Sequence, residues 1–497
     1  MSTIKKLADQ TVIYGLSSIV GRFLNYLLVP LHTLQFSTNQ YGIITEMYAY
    51  VAFLVVLLTY GMETAFFRFT SKTDHPLETV YKTILTSLLS TTALFIVGAT
   101  IFSQGIADWL NYPNNQEFVV WFAVIVGLDA VSSIPLAKLR HQNKAIKFAG
   151  VNLLNVAINI GLNLFFLGYC MPHYQAGDTN IIIDTLYSPE IGVGYVFISN
   201  LIASIVKFLA LTPMMKFWGS PLSKRLLKEM LWFGVPLLIA GLAGIINETI
   251  DRIMLKTMLF DTLGEKGTMS QLGIYGANYK ISIIITLFIQ AFRYAAEPFF
   301  FSQEKNKNAK ETYAKVMNYF VAVVAIIFLG VMYYLELIKY FIPNSEFWGG
   351  LAIVPILLFA NIFLGIYYNQ SIWYKLTNKT KYGAYIAIIG ALITVVANYI
   401  LIPKYGYVGS AWATLVCYFT MVFISYLWGH KYYPVKYNLI RIFGYLTLAV
   451  GLWQLALILG LQNDVTGYLV KTVLLLCFAG TIIKIENPFK NGKQAIN

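Results

Sequence analysis

The sequence predicts an all-α polytopic membrane protein of about fourteen transmembrane helices, built as two parallel six-helix repeats plus two C-terminal helices. Three observations carry this prediction. Of 497 residues, 58% are hydrophobic and 12% charged, against roughly 25% charged in soluble domains. Apolar runs long enough to cross a bilayer, about 20 residues each, recur from end to end with short connections between them. The basic residues fall into alternate connections, as the positive-inside rule requires of a multi-pass chain. A β-barrel would instead show alternating segments of about 10 residues, and the sequence has none.

In chain order the predicted spans are 11–33, 41–63, 81–104, 117–138, 148–170, 191–214, 231–255, 272–299, 313–335, 348–370, 382–402, 409–429, 440–461 and 467–484. The N-terminus lacks a small-residue cleavage site and reads as a retained first helix. Of the 36 basic residues, 26 lie in one set of connections, among them Lys5, Lys6, Arg68, Lys138, Arg140, Lys224, Lys305, Lys375, Arg441 and Lys490. The opposite set holds Lys256, Lys266, Lys339 and Lys404, and six more lie inside spans. Both termini are therefore expected in the cytoplasm. The net charge of +13 belongs to this bias, so no nucleic-acid partner is expected.

The chain repeats itself weakly but in order. Tyr41-Gly42-Ile43 with Tyr48 matches Leu272-Gly273-Ile274 with Tyr279, and Asn143-Lys144 matches Asn378-Lys379. Asn163-Leu164-Phe165-Phe166 and Gly192-Val193-Gly194-Tyr195 echo Asn398-Tyr399-Ile400-Leu401 and Val408-Gly409-Ser410-Ala411. The offsets imply halves at 1–214 and 230–429, a cytoplasmic linker at 215–229, and helices 13 and 14 with a tail at 430–497. Halves that start on the same side are parallel repeats, and transporters place substrate between such halves. The long connection 171–190 carries Asp178, Asp184 and Glu190 with no Lys or Arg.

Charges inside spans mark the candidate site, because they are costly there and face a bundle interior or a watery cavity. Arg22 stands mid-helix with Asn25 at i+3. Glu248, Asp251 and Arg252 crowd one helix, and Lys280 lies two turns into the next. Adjacent positions point about 100° apart, so Asp251 and Arg252 are expected not to pair, whereas Glu248 and Arg252 suit an i,i+4 pair. Arg293 and Glu297, with Glu63 and Arg68 at the matching end of helix 2, read either as an ion-pair gate or as interfacial snorkelling. Asp129 and Lys207 read either as a mutual buried pair or as a coupling site for a proton or cation. Pro30, Gly234 and Pro236 mark potential bends.

Two stretches resemble a known family. Asp251-Arg252-x-x-Leu255 leading to Gly273-x-Tyr275-x-x-Asn278-x-Lys280 is similar to a pattern of bacterial polysaccharide flippases. Asn398 to Thr414, with Leu401-Ile402-Pro403-Lys404-Tyr405-Gly406 at its centre, resembles their signature around a helix 11–12 hairpin. The family is the O-antigen or capsule branch of the multidrug/oligosaccharidyl-lipid/polysaccharide exporter superfamily. The resemblance implies a flippase that moves undecaprenyl-diphosphate-linked oligosaccharide from the cytoplasmic to the periplasmic leaflet by alternating access. It implies as partners that lipid, membrane lipids, and the polysaccharide polymerase and chain-length machinery. Arg22, Arg252 and Lys280 would meet the diphosphate, Arg by bidentate pairing and Lys as a point charge. A cation-coupled multidrug exporter and a lipid II flippase of the same superfamily, and a membrane glycan polymerase, are the alternatives.

Enzyme motifs are lacking. There is no Gly-x-x-x-x-Gly-Lys loop for phosphate, and the five histidines show no His-x-x-x-His spacing. Cys170, Cys417 and Cys477 sit in apolar runs with no metal-ligand spacing. No cofactor or metal is expected.

Overall fold

A computed structural model describes residues 15, 17, 19–71, 75–215 and 223–486. Among these, twelve helices are long and apolar enough to cross a membrane, and no strand occurs. Lys5, Lys6, residues 216–222 of the expected linker and the tail beyond 486 lie outside the described residues, as does most of 11–18 in the first expected span. The chain forms two compact units, Met1–Gly276 and Ala277–Asn497.

In the first unit, residues 19–26 are helical, a turn at Leu27 follows, and α1 runs Leu28–Gln35. Phe36 is extended, and Ser37 and Gln40 form a capping box that starts α2, Thr38–Thr59. This satisfies two of the backbone donors that a helix start leaves open. Tyr60 (φ 31°) and Gly61 (φ 73°) are left-handed and end α2. Glu63 and Arg68 therefore belong to a separate helix, α3, Met62–Ser71. Then come α4 (Leu77–Ile101), α5 (Gln116–His141), α6 (Ala145–Asn163) and α7 (Gly194–Leu211). The core helix is α5, which packs on α2, α4 and α7.

Two connections differ from expectation. The stretch 171–190 is not a plain loop: α6 runs on through a π-helical turn, Leu164–Cys170, into Met171–Ala176, and Ile181–Leu186 forms another short helix. The Asn180 side chain caps the latter by accepting from the Ile182 and Ile183 amides at 3.0 and 3.1 Å. The polar stretch between helices 7 and 8 is also helical. Residues 224–303 break only at Gly264 (φ 67°, ψ 176°), which separates α8 (224–263) from α9 (265–303). An unbroken helix of 80 residues would be about 120 Å long, several bilayer cores. Lys256, Asp261, Glu265 and Lys266 are polar without breaking a helix, and one left-handed glycine makes the turn.

Within the first unit α8 runs antiparallel to α2. A Cβ on Gly234 would lie 2.7 Å from the Tyr60 carbonyl oxygen, and one on Gly61 would lie 2.9 Å from that of Gly234. Such glycine contacts let membrane helices approach backbone to backbone.

The second unit holds most of α9, then α10 (Ala309–Tyr333), α11 (Val354–Gln370), α12 (Lys381–Tyr405), α13 (Tyr407–Tyr432), α14 (Leu439–Ile458) and α15 (Val465–Glu486). The α12–α13 hairpin turns at Gly406 (φ 55°), and Gly409 abuts the Leu401 carbonyl. The conspicuous glycines of the Asn398–Thr414 stretch thus have steric reasons. The repeat is also visible in the backbone. Asn143 and Asn378, matched by sequence, both adopt φ 56° in the turn before a helix.

Candidate functional site

The opening of α9 crosses α2 within the first unit. A Cβ on Gly42 would fall on the Met269 carbonyl, and one on Gly273 on the Thr38 carbonyl, 2.9 Å from the Gly42 nitrogen. Gly42 and Gly273 are repeat mates, and Thr38 and Met269 stand four residues before them. The crossing is therefore reciprocal, with each repeat's glycine seated on the other's carbonyl. Thr38 and Ser270 hydroxyls hydrogen-bond across it at 2.7 Å, and Gly276 meets the Thr45 side chain.

Two ionic clusters flank this crossing. In the first, Tyr275 donates its hydroxyl to Asp251 Oδ2 at 2.5 Å, and Asp251 Oδ1 accepts from Arg252 Nη1 at 2.8 Å and from the Arg252 amide at 2.9 Å. Arg252 also donates to the Glu248 backbone carbonyl. The expectation that Asp251 and Arg252 do not pair is thus incorrect. A long guanidinium arm folds back over its own helix turn and spans the angle between neighbouring positions. Glu248 is reached through its carbonyl, and its side chain is exposed. Arg252 is only 8% exposed and Asp251 2%.

The second cluster was not anticipated. Lys256 Nζ donates to Glu46 Oε2 at 2.9 Å and to the Leu110 carbonyl at 2.5 Å, Tyr112 donates to the same Glu46 oxygen, and Lys256 sits 4.2 Å from the Tyr112 ring centroid. The Glu46 and Lys256 side chains are 0% and 5% exposed. Sequence reading placed Lys256 in a loop and passed over Glu46. The available signal was Glu46 itself, a carboxylate in an apolar run with no basic residue at i±3 or i±4. Such an acid must find its partner on another helix.

A polar ladder joins the first helical stretch to α6. His32 Nε2 meets Asn163 Oδ1 at 2.8 Å, Asn163 Nδ2 donates to the Asn159 carbonyl at 2.8 Å, and Asn159 Nδ2 donates to Asn25 Oδ1 at 3.0 Å. Above it Arg22 is exposed, as is Asn25, and Arg22 and Glu248 both lie within electrostatic reach of Tyr26. The structure thus brings Arg22, Asn25 and Glu248 to one region of the first unit. Lys280 lies in the second unit and is half-buried, next to Asn278, which is buried and donates to the Phe347 carbonyl at 2.8 Å.

The remaining candidates have partners inside their own units. Lys207 donates to Asp129 Oδ1 at 2.6 Å, and Ser204 to the same oxygen at 3.1 Å. Glu63 pairs with Arg140, and Arg68 lies 4.4 Å from the centroid of Phe233. Glu297 pairs with Arg293 at 3.5 Å and with Lys375 at 2.7 Å. An apolar cavity of about 360 Å³ opens between α2, α4, α5 and α8, lined by Leu54, Phe95, Trp109, Leu110, Phe122 and Ile253 among others. Among the described residues no group of three or more His, Cys, Asp and Glu is placed to hold a metal.

The chain as a whole is similar to known proteins. The chain is 23% identical over 468 residues to an uncharacterized membrane protein of Methanocaldococcus jannaschii, covering 87% of each chain. It is 20% identical over 424 residues to the probable low-salt glycan biosynthesis flippase Agl15 of Haloferax volcanii, covering 83% of this chain and 81% of the other. The solved lipid II flippase MurJ, in an inward closed conformation, superposes with a TM-score of 0.72 at 13% identity over 95% of this chain and 98% of that one. The all-α polytopic membrane fold expected from the sequence is therefore found, with twelve membrane-length helices among the described residues where about fourteen were expected. Residues 36–348 match the family model described as polysaccharide biosynthesis protein, and the chain belongs to that family.

Proposed function

We propose that this protein is a flippase that carries undecaprenyl-diphosphate-linked oligosaccharide from the cytoplasmic to the periplasmic leaflet of a bacterial inner membrane by alternating access. In this reading it has fourteen membrane helices, counting the first helical stretch and both arms at Gly264, and cytoplasmic termini. Its moving halves are 1–214 and 230–429, joined through 215–229, and it acts as a carrier without enzymatic activity. The observation that carries the reading is Arg22, an exposed cation in the helical stretch expected as the first span, grouped with Asn25, Tyr26 and Glu248. An unburied charge at that depth calls for water or an anionic ligand, and a diphosphate supplies the anion. The flippase relative from Haloferax and the family's link to polysaccharide biosynthesis support the same substrate class.

Arg22 would receive the headgroup. Arg252, held by Asp251 and the helix backbone, would instead shape the region around it.

The test is translocation of a fluorescent lipid-linked oligosaccharide in proteoliposomes. The intact protein moves the label, and Arg22→Ala, inserted at normal yield, slows it at least tenfold while Arg22→Lys retains part. Unchanged translocation by Arg22→Ala would remove its headgroup role, and chain elongation without translocation would replace the carrier reading with a polymerase.

A further inference from the structure

The apolar cavity between α2, α4, α5 and α8 takes no part in the function proposed above. It lies wholly within the first unit, holds about 360 Å³ and has no charged residue in its lining. Protein interiors pack closely and rarely leave voids larger than a water molecule. An apolar cavity of about 150 Å³ stays dry and takes up apolar guests, so water does not fill this one. Phe53, Leu54, Phe95, Ile250 and Ile253 on its walls are half-buried, which makes it open rather than sealed. Two of the helices that form it, α4 and α8, also present exposed apolar side chains, Leu94, Val97 and Ile239 among them. In a multi-pass membrane protein such a surface meets hydrocarbon, so the material at hand to fill the cavity is a lipid chain.

One end of the cavity belongs at the membrane surface. Ile106, Trp109 and Leu110 line it there, from the short helix Ser103–Trp109 and the residue after it. Trp109 is 75% exposed, as suits an aromatic side chain at headgroup level. The charges around this end are mostly acidic. Asp108 on the same short helix is exposed, its Oδ1 accepting from Gln104 at 2.8 Å. Glu117 opens α5 two residues before Val119, which lines the cavity. Asp261 and Glu265, where α8 gives way to α9, are exposed, against one exposed cation there, Lys266. Lys256 is buried against Glu46 and does not offset them. A rim of this sign repels an anionic headgroup and favours one that carries an ammonium.

We propose that the cavity binds one acyl chain of an aminophospholipid of the phosphatidylethanolamine type, whose ammonium meets the acidic rim at Asp108. This lipid stays with the protein and is separate from the cargo, whose diphosphate has the wrong sign for the rim. Its chain touches groups that hold the buried ion pair. Leu110 lines the cavity and gives its carbonyl to Lys256 Nζ at 2.5 Å. Tyr50 lines it too and hydrogen-bonds to the Glu46 carboxylate. A filled cavity therefore steadies the Glu46–Lys256 contact between α2 and α8.

The experiment is native mass spectrometry of the purified full chain after exchange into dioleoyl lipids of defined headgroup, with thermal unfolding in lipid-free detergent beside it. One phosphatidylethanolamine per chain is expected to stay bound, and phosphatidylglycerol with the same chains at least tenfold less. Ala123→Phe puts a ring into the cavity from α5. It is expected to cut phosphatidylethanolamine retention at least tenfold and to raise the unfolding midpoint in lipid-free detergent, because the ring stands in for the chain. Asp108→Lys, at an exposed position, leaves the cavity intact and is expected to reverse the headgroup preference. It keeps the test decisive where Ala123→Phe inserts poorly. No retained lipid in the parent, or equal retention by Ala123→Phe, overturns the cavity site. An unchanged preference in Asp108→Lys, or tighter binding of undecaprenyl phosphate than of phosphatidylethanolamine, overturns the aminophospholipid. None of these readouts involves translocation, so the flippase reading stands or falls separately.

Discussion

Replacing Gly273 with alanine tests the reciprocal crossing at its tightest point. The added methyl would fall on the Thr38 carbonyl and lie 2.9 Å from the Gly42 nitrogen, where heavy atoms normally rest at about 3.5–4.0 Å. Both obstacles are backbone, so no rotamer change relieves the clash and the helices must move apart. Separation by about an ångström takes the 2.7 Å Thr38–Ser270 bond beyond hydrogen-bond distance. Overpacking of this kind costs about 1–3 kcal/mol, which lowers the population of the close-packed crossing about 5- to 150-fold. The assay is disulfide formation between Thr38→Cys and Ser270→Cys in membranes at fixed pH, with and without Gly273→Ala. Gly244→Ala is the control, because a Cβ there meets nothing within 4 Å, and it should leave cross-linking unchanged. Equal cross-linking with and without Gly273→Ala would refute the steric argument.

Three further outcomes follow from the same geometry. Tyr275→Phe leaves Asp251, only 2% exposed, short of one donor and should destabilise the detergent-solubilised protein by about 1–3 kcal/mol, read from its thermal unfolding midpoint. Lys207→Met leaves the partly exposed Asp129 with Ser204 as its remaining donor and should cost about 1–3 kcal/mol, while Lys207→Met/Asp129→Asn should regain most of it. Recovery of translocation along with stability would make that pair structural rather than coupling. Asn143→Ala and Asn378→Ala each place a Cβ residue without a local hydrogen-bonding side chain at φ 56° and should each cost about 1–2 kcal/mol, measured by thermal unfolding, whereas glycine at either position should be tolerated.

The sequence by itself determined the membrane class, the helical periodicity and the repeat, because hydropathy and spacing are local properties. Asn143 and Asn378 were legible as repeat mates from two letters each, and the structure gives them the same φ. The polysaccharide-family motif around Asn398–Thr414 was legible because its glycines meet steric needs within one hairpin. The breaks at Tyr60–Gly61 and Gly264 were less so, since a glycine signals a turn only where its neighbours allow the helix to stop.

What a charge inside a span does was decided only by tertiary structure. Arg252, Lys280 and Arg22 look alike as basic residues in apolar runs, yet Arg252 is buried against Asp251, Lys280 is half-buried and Arg22 is exposed. Glu46 and Lys256 stand 210 residues apart, and no periodicity connects them. Their pairing arises because the glycines of α2, α8 and α9 let backbones approach closely, and that approach brings a carboxylate on one helix to an ammonium on another. A charge in a span states a cost, and only the helix packed opposite shows how that cost is met.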